Sequence, residues 1–159
     1  MRATRFTHVS IHAVDLEESV RFYTELFGME RIPSPTFNNP VEWLRLGDQQ
    51  LHLFVRETPA PEFHHIGLDV DDFEAVYLKA KALGIAHDET WAPDVRELPD
   101  GSVQMYVRDP AGNLVEVDWP DVSTLDRSVI PHIRKLEDEV PQTGEALQAT
   151  LYHTVATPS

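Results

Sequence analysis

Four side chains in this sequence have the type and the placement to hold a metal ion: His8, His52, His65 and Glu116. The stretch Phe63 to Val70, FHHIGLDV, repeats an earlier one, Phe6 to Ala13, FTHVSIHA. His65 falls on His8, and Ile66 and Leu68 fall on Val9 and Ile11. Each stretch alternates as a strand with one buried face does. Each therefore carries its histidine on the polar side. His52 and Glu116 hold equivalent places in the last strand pattern of each repeat. If each sheet curls with its helix outside, the polar faces line a cup and the four donors converge in it. There is no cysteine, so any metal must sit on His, Asp or Glu. Three imidazoles and a carboxylate suit a borderline divalent ion such as Fe(II), Zn, Ni, Co or Mn.

The elements that must position these groups can be read in order. Thr4 to Val14 is a strand pattern. Asp15 is a helix N-cap with Glu18 at the capping-box position, Leu16, Val20, Tyr23, Leu26 and Phe27 follow with helical spacing, and Gly28 closes the helix. A strand begins at Met29 to Ile32, and prolines and asparagines over 33–40 mark a loop. Val41 to Leu46 and Gln50 to Val55 form a hairpin across Gly47-Asp48. A stiff linker with Pro59 and Pro61 follows, and the order restarts. It gives a strand from His65 to Val70 and a helix capped by Asp71 or Asp72 and closed by Gly84. A short strand near Ile85 to Glu89, a loop over 92–101, and a hairpin of Val103 to Asp109 with Leu114 to Trp119 complete it. The offset is 57 residues at Phe6/Phe63, His8/His65 and Asp15/Asp72, and 56 at Gly28/Gly84. A repeat at this period means two copies of one βαβββ unit.

Composition bounds the rest. A chain of 159 residues is long enough for one compact domain with a core, and 42% hydrophobic with 25% charged residues is ordinary for a globular protein. No run of 18 apolar residues predicts a membrane span. The opening MRATRFTH leads straight into a strand pattern and not into a signal peptide, which gives a cytoplasmic expectation. A formal net charge of −14 argues against nucleic acid or an anionic membrane as partner.

At these residues the chain resembles the vicinal oxygen chelate superfamily. That group includes glyoxalase I, fosfomycin-resistance enzymes, methylmalonyl-CoA epimerase, bleomycin-binding proteins and extradiol ring-cleaving dioxygenases. The resemblance covers roughly Thr4 to Pro120. It rests on HVSIHAVDLEESVRFYTELFGM, on HHIGLDVDDFEAV and on YVRDPAGNLVEV, the last being the most specific. It implies an α+β fold of two βαβββ modules whose curled mixed sheets form a metal-binding cup. The domain is expected over 1–120, with modules at about 4–57 and 62–120 and a C-terminal helical extension over 121–159. It implies ligands at His8, His65 and Glu116, with His52 on a position of variable type that is not always a ligand. It also implies a small-molecule substrate and a homodimer. The two modules close on each other within one chain or exchange between two; in the second case His8 and His52 of one subunit meet His65 and Glu116 of the other.

The resemblance leaves two chemistries open. His64-His65, Tyr106, Asp109, Pro110, Gly112 and Glu116 are similar to the extradiol dioxygenase signature, in which Tyr106 would donate a hydrogen bond to substrate. That signature wants a histidine at 97 to 99, where this chain has Glu97, Leu98 and Pro99. With His52 as a fourth ligand, an octahedral ion keeps two open positions, enough to chelate the two oxygens of an enediolate. That is lyase or isomerase chemistry: a Lewis-acid metal, with Glu116 as the base at the carbon next to a carbonyl. A metal-free bleomycin-type binding protein and a regulatory scaffold on the same fold are the other classes.

Bland roles cover the remaining candidates. His12, His64, His87, His132 and His153 read as surface or hydrogen-bonded histidines, with His12 on the same face as His8. Glu42, Asp69 and Asp118 read as solvated or hairpin-paired carboxylates. Phe22, Tyr23, Phe27 and Tyr77 read as helix-spaced core. DPAGN, from Asp109, reads first as a turn. In the extension, Ser123 or Thr124 caps an expected helix through Leu125, Val129, Ile133 and Leu136, kinked or delayed by Pro131, and Glu145 to Tyr152 adds a turn or two. This tail covers the cup, packs across a dimer, or is loose; the sequence does not choose.

Overall fold

The computed structural model describes residues 3–86 and 95–152. His87 and His153, and most of the strand expected at Ile85 to Glu89, lie outside the described residues; within them Ala86 makes an isolated bridge to Val107. The chain forms two compact units, Met1–Ile66 with Arg108–Val115, and Gly67–Val107 with Glu116–Ser159.

The first unit carries β1 (His8–Ala13), α1 (Leu16–Phe27), β2 (Glu30–Ile32), β3 (Val41–Leu46) and β4 (Gln49–Val55). The sheet order is β1-β4-β3-β2, with β1 parallel to β4 and the other pairs antiparallel. The helix begins where Asp15 accepts a hydrogen bond from the Glu18 amide at 2.9 Å, and it ends at Gly28, whose φ of 64° is open to glycine without strain. The two faces of the sheet differ. Ala13, Leu44, Leu51 and Leu53 are buried together with Val20 and Tyr23 of α1. The opposite face carries His8, Ser10, Gln50, His52, Trp43 and Phe54, because the register sets Ser10 and Trp43 on either side of His52.

The DPAGN turn belongs to this unit and is more than a turn. Buried Asp109 accepts hydrogen bonds from the amides of Ala111 and Asn113, from the Asn113 side chain, and from the Tyr23 hydroxyl of α1 at 2.9 Å. Asn113 also donates to the His12 carbonyl at 2.7 Å. One turn thereby ties the helix and the first strand together. Burial outweighs these donors and raises the Asp109 pKa above the usual carboxylate range.

In the remainder of the chain, β5 (His65–Asp69), α2 (Phe73–Leu83), β6 (Val95–Glu97), β7 (Val103–Arg108), β8 (Leu114–Trp119) and β9 (Ile133–Lys135) follow, and the second sheet has the order β5-β8-β7-β6-β9. Asp72, one of the two expected caps, accepts from the Ala75 amide at 2.9 Å. Phe73, Val76 and Ala80 of α2 are buried, as are Val103, Met105, Val107 and Val117.

Three expectations need correction. The region 92–101 is not all loop: Val95–Glu97 is β6, antiparallel to β7. The extension is not a helix through Leu125 to Leu136. A 3-10 turn at Val122–Thr124, capped by Asp121, leads to β9, which pairs parallel with β6. A single helical turn follows at Leu136–Glu139, then a 3-10 turn at Gly144–Gln148. Pro131 removes a helix donor and disfavours the helical region for Ile130, so an extended strand takes the place of the helix. β1 is also shorter than Thr4 to Val14.

Candidate functional site

His8 and His52 come together. Adjacent strands β1 and β4 bring their rings to 4.2 Å between centroids, nearly parallel at 14°. Trp43 of β3 covers the other side of His52 at 4.1 Å and 1°. His52 is 6% exposed, and its Nε2 lies 2.9 Å from the Gln50 side-chain oxygen. Burial, with the neighbouring His8, lowers the His52 pKa, which keeps the ring in the neutral form that a metal needs. His8 is exposed, with Nδ1 3.0 Å from the Thr7 hydroxyl. Phe37 and Phe54 add an aromatic border to this face.

His65 opens β5 and is exposed, with Nδ1 3.1 Å from the Phe63 carbonyl. In the first unit it borders a cavity of about 620 Å³ that is also lined by His12, His64, Phe63 and Ile11. The Nδ1 of His12 is buried and has no hydrogen-bond partner among the described residues.

Glu116 lies on β8, the neighbour of β5 in the second sheet. It is 7% exposed and accepts a short hydrogen bond from the Tyr106 hydroxyl, which in turn accepts from the Gln104 amide at 2.7 Å. Burial first, then the Glu116 carboxylate, raises the Tyr106 pKa far enough to keep the phenol protonated. Asp118 sits beside Glu116 and is only 8% exposed. Burial and the Glu116 charge raise its pKa to about 8, so at neutral pH it keeps a proton to share with Glu116. Gly67 leaves room for this pair: a Cβ there would stand 3.1 Å from Asp118 Oδ2. The reading of Asp118 as solvated is therefore wrong. The available signal was its place on the strand face of Glu116 two residues on, where a second carboxylate is costly unless the two are linked. Glu42 does pair across its hairpin, with Arg31 at 2.6 Å. Trp43 was missed because it does not stand at a repeat position, and Asp109 was read as a signature and turn residue without its buried bond to Tyr23.

Of the four predicted donors, His8 and His52 are brought into contact. Among the described residues, no group of three or more His, Asp or Glu side chains is gathered to hold a metal ion. His8 and His52 form one pair; His65 and Glu116 stand on adjacent strands of the other sheet.

Comparison with known proteins agrees with this architecture. Residues 5–117 match the model of the Glyoxalase/Bleomycin resistance protein/Dioxygenase superfamily. The chain belongs to that family. It is 31% identical to the protein YwbC of Bacillus subtilis, over 72% of this chain and 96% of that one. It is 26% identical to human mitochondrial methylmalonyl-CoA epimerase, over 72% of this chain and 73% of the epimerase. The solved structure of lactoylglutathione lyase from Agrobacterium tumefaciens superposes with a TM-score of 0.56 at 26% identity, covering 74% of this chain and 94% of the lyase. No helix among the described residues is long and apolar enough to cross a membrane.

Proposed function

We propose that this protein is a divalent-metal-dependent lyase or isomerase that moves a proton next to a carbonyl in a small molecule with two adjacent oxygens. His8, His52, His65 and Glu116 hold the ion, the two halves of the ligand set coming from one chain or from two copies. The donor types fit a borderline ion, and their number suffices only when His65 and Glu116 join the His8–His52 pair. Such an ion would supply Lewis acidity toward the substrate oxygens.

The observation that carries this reading is the setting of Glu116. A carboxylate on a buried strand face, fixed by the Tyr106 hydroxyl and joined to a protonated Asp118, is equipped to take a proton and return it. Tyr106 orients Glu116, and Gln104 orients Tyr106. Glu116 removes the proton at the carbon beside the carbonyl and delivers it to the adjacent position, so the reaction needs no outside oxidant. Two relatives, each 26% identical to this chain, are named as an epimerase and a lyase, which supports the reaction classes proposed here.

Ring cleavage is the second reading, supported by Tyr106, Asp109, Pro110, Gly112 and Glu116. Against it, Glu97 stands where that signature wants a histidine, on β6 and 3.5 Å from Lys135.

Metal analysis of purified protein and of His65→Ala tests the site: the wild type should bind a divalent ion in stoichiometric amount and the variant should lose most of it. An unchanged stoichiometry would remove His65 from the ligand set, and a metal-free wild type would favour a binding protein of the bleomycin type. Loss of the methylglyoxal–glutathione adduct, set against oxygen uptake with catechols, separates the two reactions. If His8→Ala and Glu116→Ala are each inactive but recover activity when mixed and refolded, the site is shared between copies.

A further inference from the structure

The C-terminal extension lies beyond residues 5–117, the span of the family match, and its Thr150 and Tyr152 reach the acidic face of the second unit. Its course is anchored step by step. The Val122 amide donates to the Gly101 carbonyl at 2.9 Å, and the Asp126 amide to Glu74 of α2 at 2.6 Å. Leu125 and Ile130 are buried. β9 pairs with β6, and Arg96 of β6 binds Glu139 at 3.0 Å. Beyond Gln148 the chain turns back. Thr150 hydrogen-bonds the Asp100 carboxylate, and the Tyr152 hydroxyl donates to Asp69 Oδ1 at 2.8 Å.

Asp69 shares a strand face with Gly67, and Gly67 is the residue whose missing side chain makes room for Asp118 and Glu116. Tyr152 therefore stands on the face that carries the acid pair, close enough for Asp118 to influence its phenol. One oxygen of that pair, Asp118 Oδ1, is buried with no hydrogen-bond partner among the described residues. A buried acceptor in this state has room for a donor that the described residues do not supply.

We propose that the extension forms a wall over the sheet face that carries Glu116 and Asp118, and that Tyr152 limits the size of the substrate that reaches them. The wall is held by side chains of the unit it covers, so it is a fixed boundary. The ligand it admits is compact and offers a hydroxyl or amide hydrogen to Asp118 Oδ1. The assignment of Glu116 as the reacting group rests on the reading above; the wall itself rests on the hydrogen bonds of Thr150 and Tyr152.

Three proteins test it: the full chain, Tyr152→Ala, and a chain ending after Gln142, which keeps β9 and the helical turn. Carboxyl groups are labelled with a water-soluble carbodiimide and glycine ethyl ester and located by peptide mass spectrometry, with exposed Asp48 as internal control. Labelling of buried Asp118 should rise severalfold in both variants, with Asp48 unchanged. Equal labelling of Asp118 in the full chain and in a Tyr152→Ala protein of unaltered circular dichroism would overturn the wall. In the same variant, kcat/KM for the bulky phenylglyoxal–glutathione adduct relative to the methylglyoxal adduct should rise about tenfold, the scale on which a pocket wall discriminates apolar groups. An unchanged ratio beside increased labelling would overturn size selection by Tyr152. A full chain that turns over neither adduct would sink the enzymatic reading, while the labelling would still decide the wall.

Discussion

The two sheets are copies of one plan that have been given opposite chemistry. In each, an aspartate caps the helix, a glycine in the left-handed region ends it, and the first strand carries a histidine on its polar face. The last strands differ. In the first sheet His52 is sandwiched between His8 and Trp43, so that face is aromatic, with a ring kept neutral by burial. In the second, Glu116 and Asp118 share a face with Tyr106 and Gln104, so the chemistry is that of carboxylates and a proton. Duplication repeats what makes the backbone fold and leaves the polar faces free to diverge, because they lie opposite the faces that pack on the helices.

The contrast is broken most directly at Glu116. Glu116→Gln keeps shape and hydrogen-bonding capacity but cannot accept the substrate proton, so turnover should fall by about 10²- to 10⁴-fold, the usual worth of a positioned base. Thermal unfolding should move little. His52→Ala should differ in stability, because it removes the ring packed between two others and so lowers the melting temperature. Steady-state kinetics and a melting curve on both variants separate the sheets; if Glu116→Gln keeps full turnover, the acidic sheet is not the reacting one.

A stability test of the first unit comes next. Asp109→Ala strips the acceptor from Tyr23 and from three donors of its own turn, leaving buried polar groups unsatisfied, at a cost of about 3 kcal/mol. Denaturant unfolding measures it. The same carboxyl gives a pH signature. Its folded pKa is raised, so the folded state holds the proton more tightly than the unfolded chain does. The stability it contributes is complete below the unfolded carboxylate pKa and is lost as pH rises through the folded value. The unfolding free energy of the wild type minus that of Asp109→Asn should therefore shrink as pH is raised from about 4, the unfolded reference. A difference independent of pH would mean that Asp109 ionises normally.

Much of this was legible in the sequence, and the failures share a cause. The helices were readable because Asp15, Gly28, Asp72 and Gly84 act locally, on amides three or four residues away. The hairpin of β3 and β4 was readable from alternation around Gly47. β6 was not, since Val95–Glu97 is three residues long and is a strand only through its partners β7 and β9. β9 was missed for the complementary reason: Leu125, Val129, Ile133 and Leu136 keep a helical spacing that Pro131 and the open edge of β6 override. Of the candidate site, repeat position singled out His8, His52, His65 and Glu116 as candidates, and the first two are stacked in the fold. The state of Asp118 was hidden because burial, not residue type, sets it.

The smallest expected effect sharpens the comparison most. Asp15 and Asp72 occupy the same repeat position, and each accepts from the amide three residues on at the same 2.9 Å. Removal of an N-cap acceptor costs about 1 kcal/mol. Both helices also carry glutamate in the first turn, Glu17 and Glu18 in one and Glu74 in the other, so neither cap works against an unfavourable dipole. Asp15→Ala and Asp72→Ala should therefore destabilise the protein by nearly equal amounts, and the double variant by their sum, since the two caps share no partner. Denaturant midpoints at one pH suffice to check it. A markedly larger loss at Asp72 would show that the second helix depends on more than its cap, and Glu74, which also holds the extension through the Asp126 amide, is where that dependence would lie.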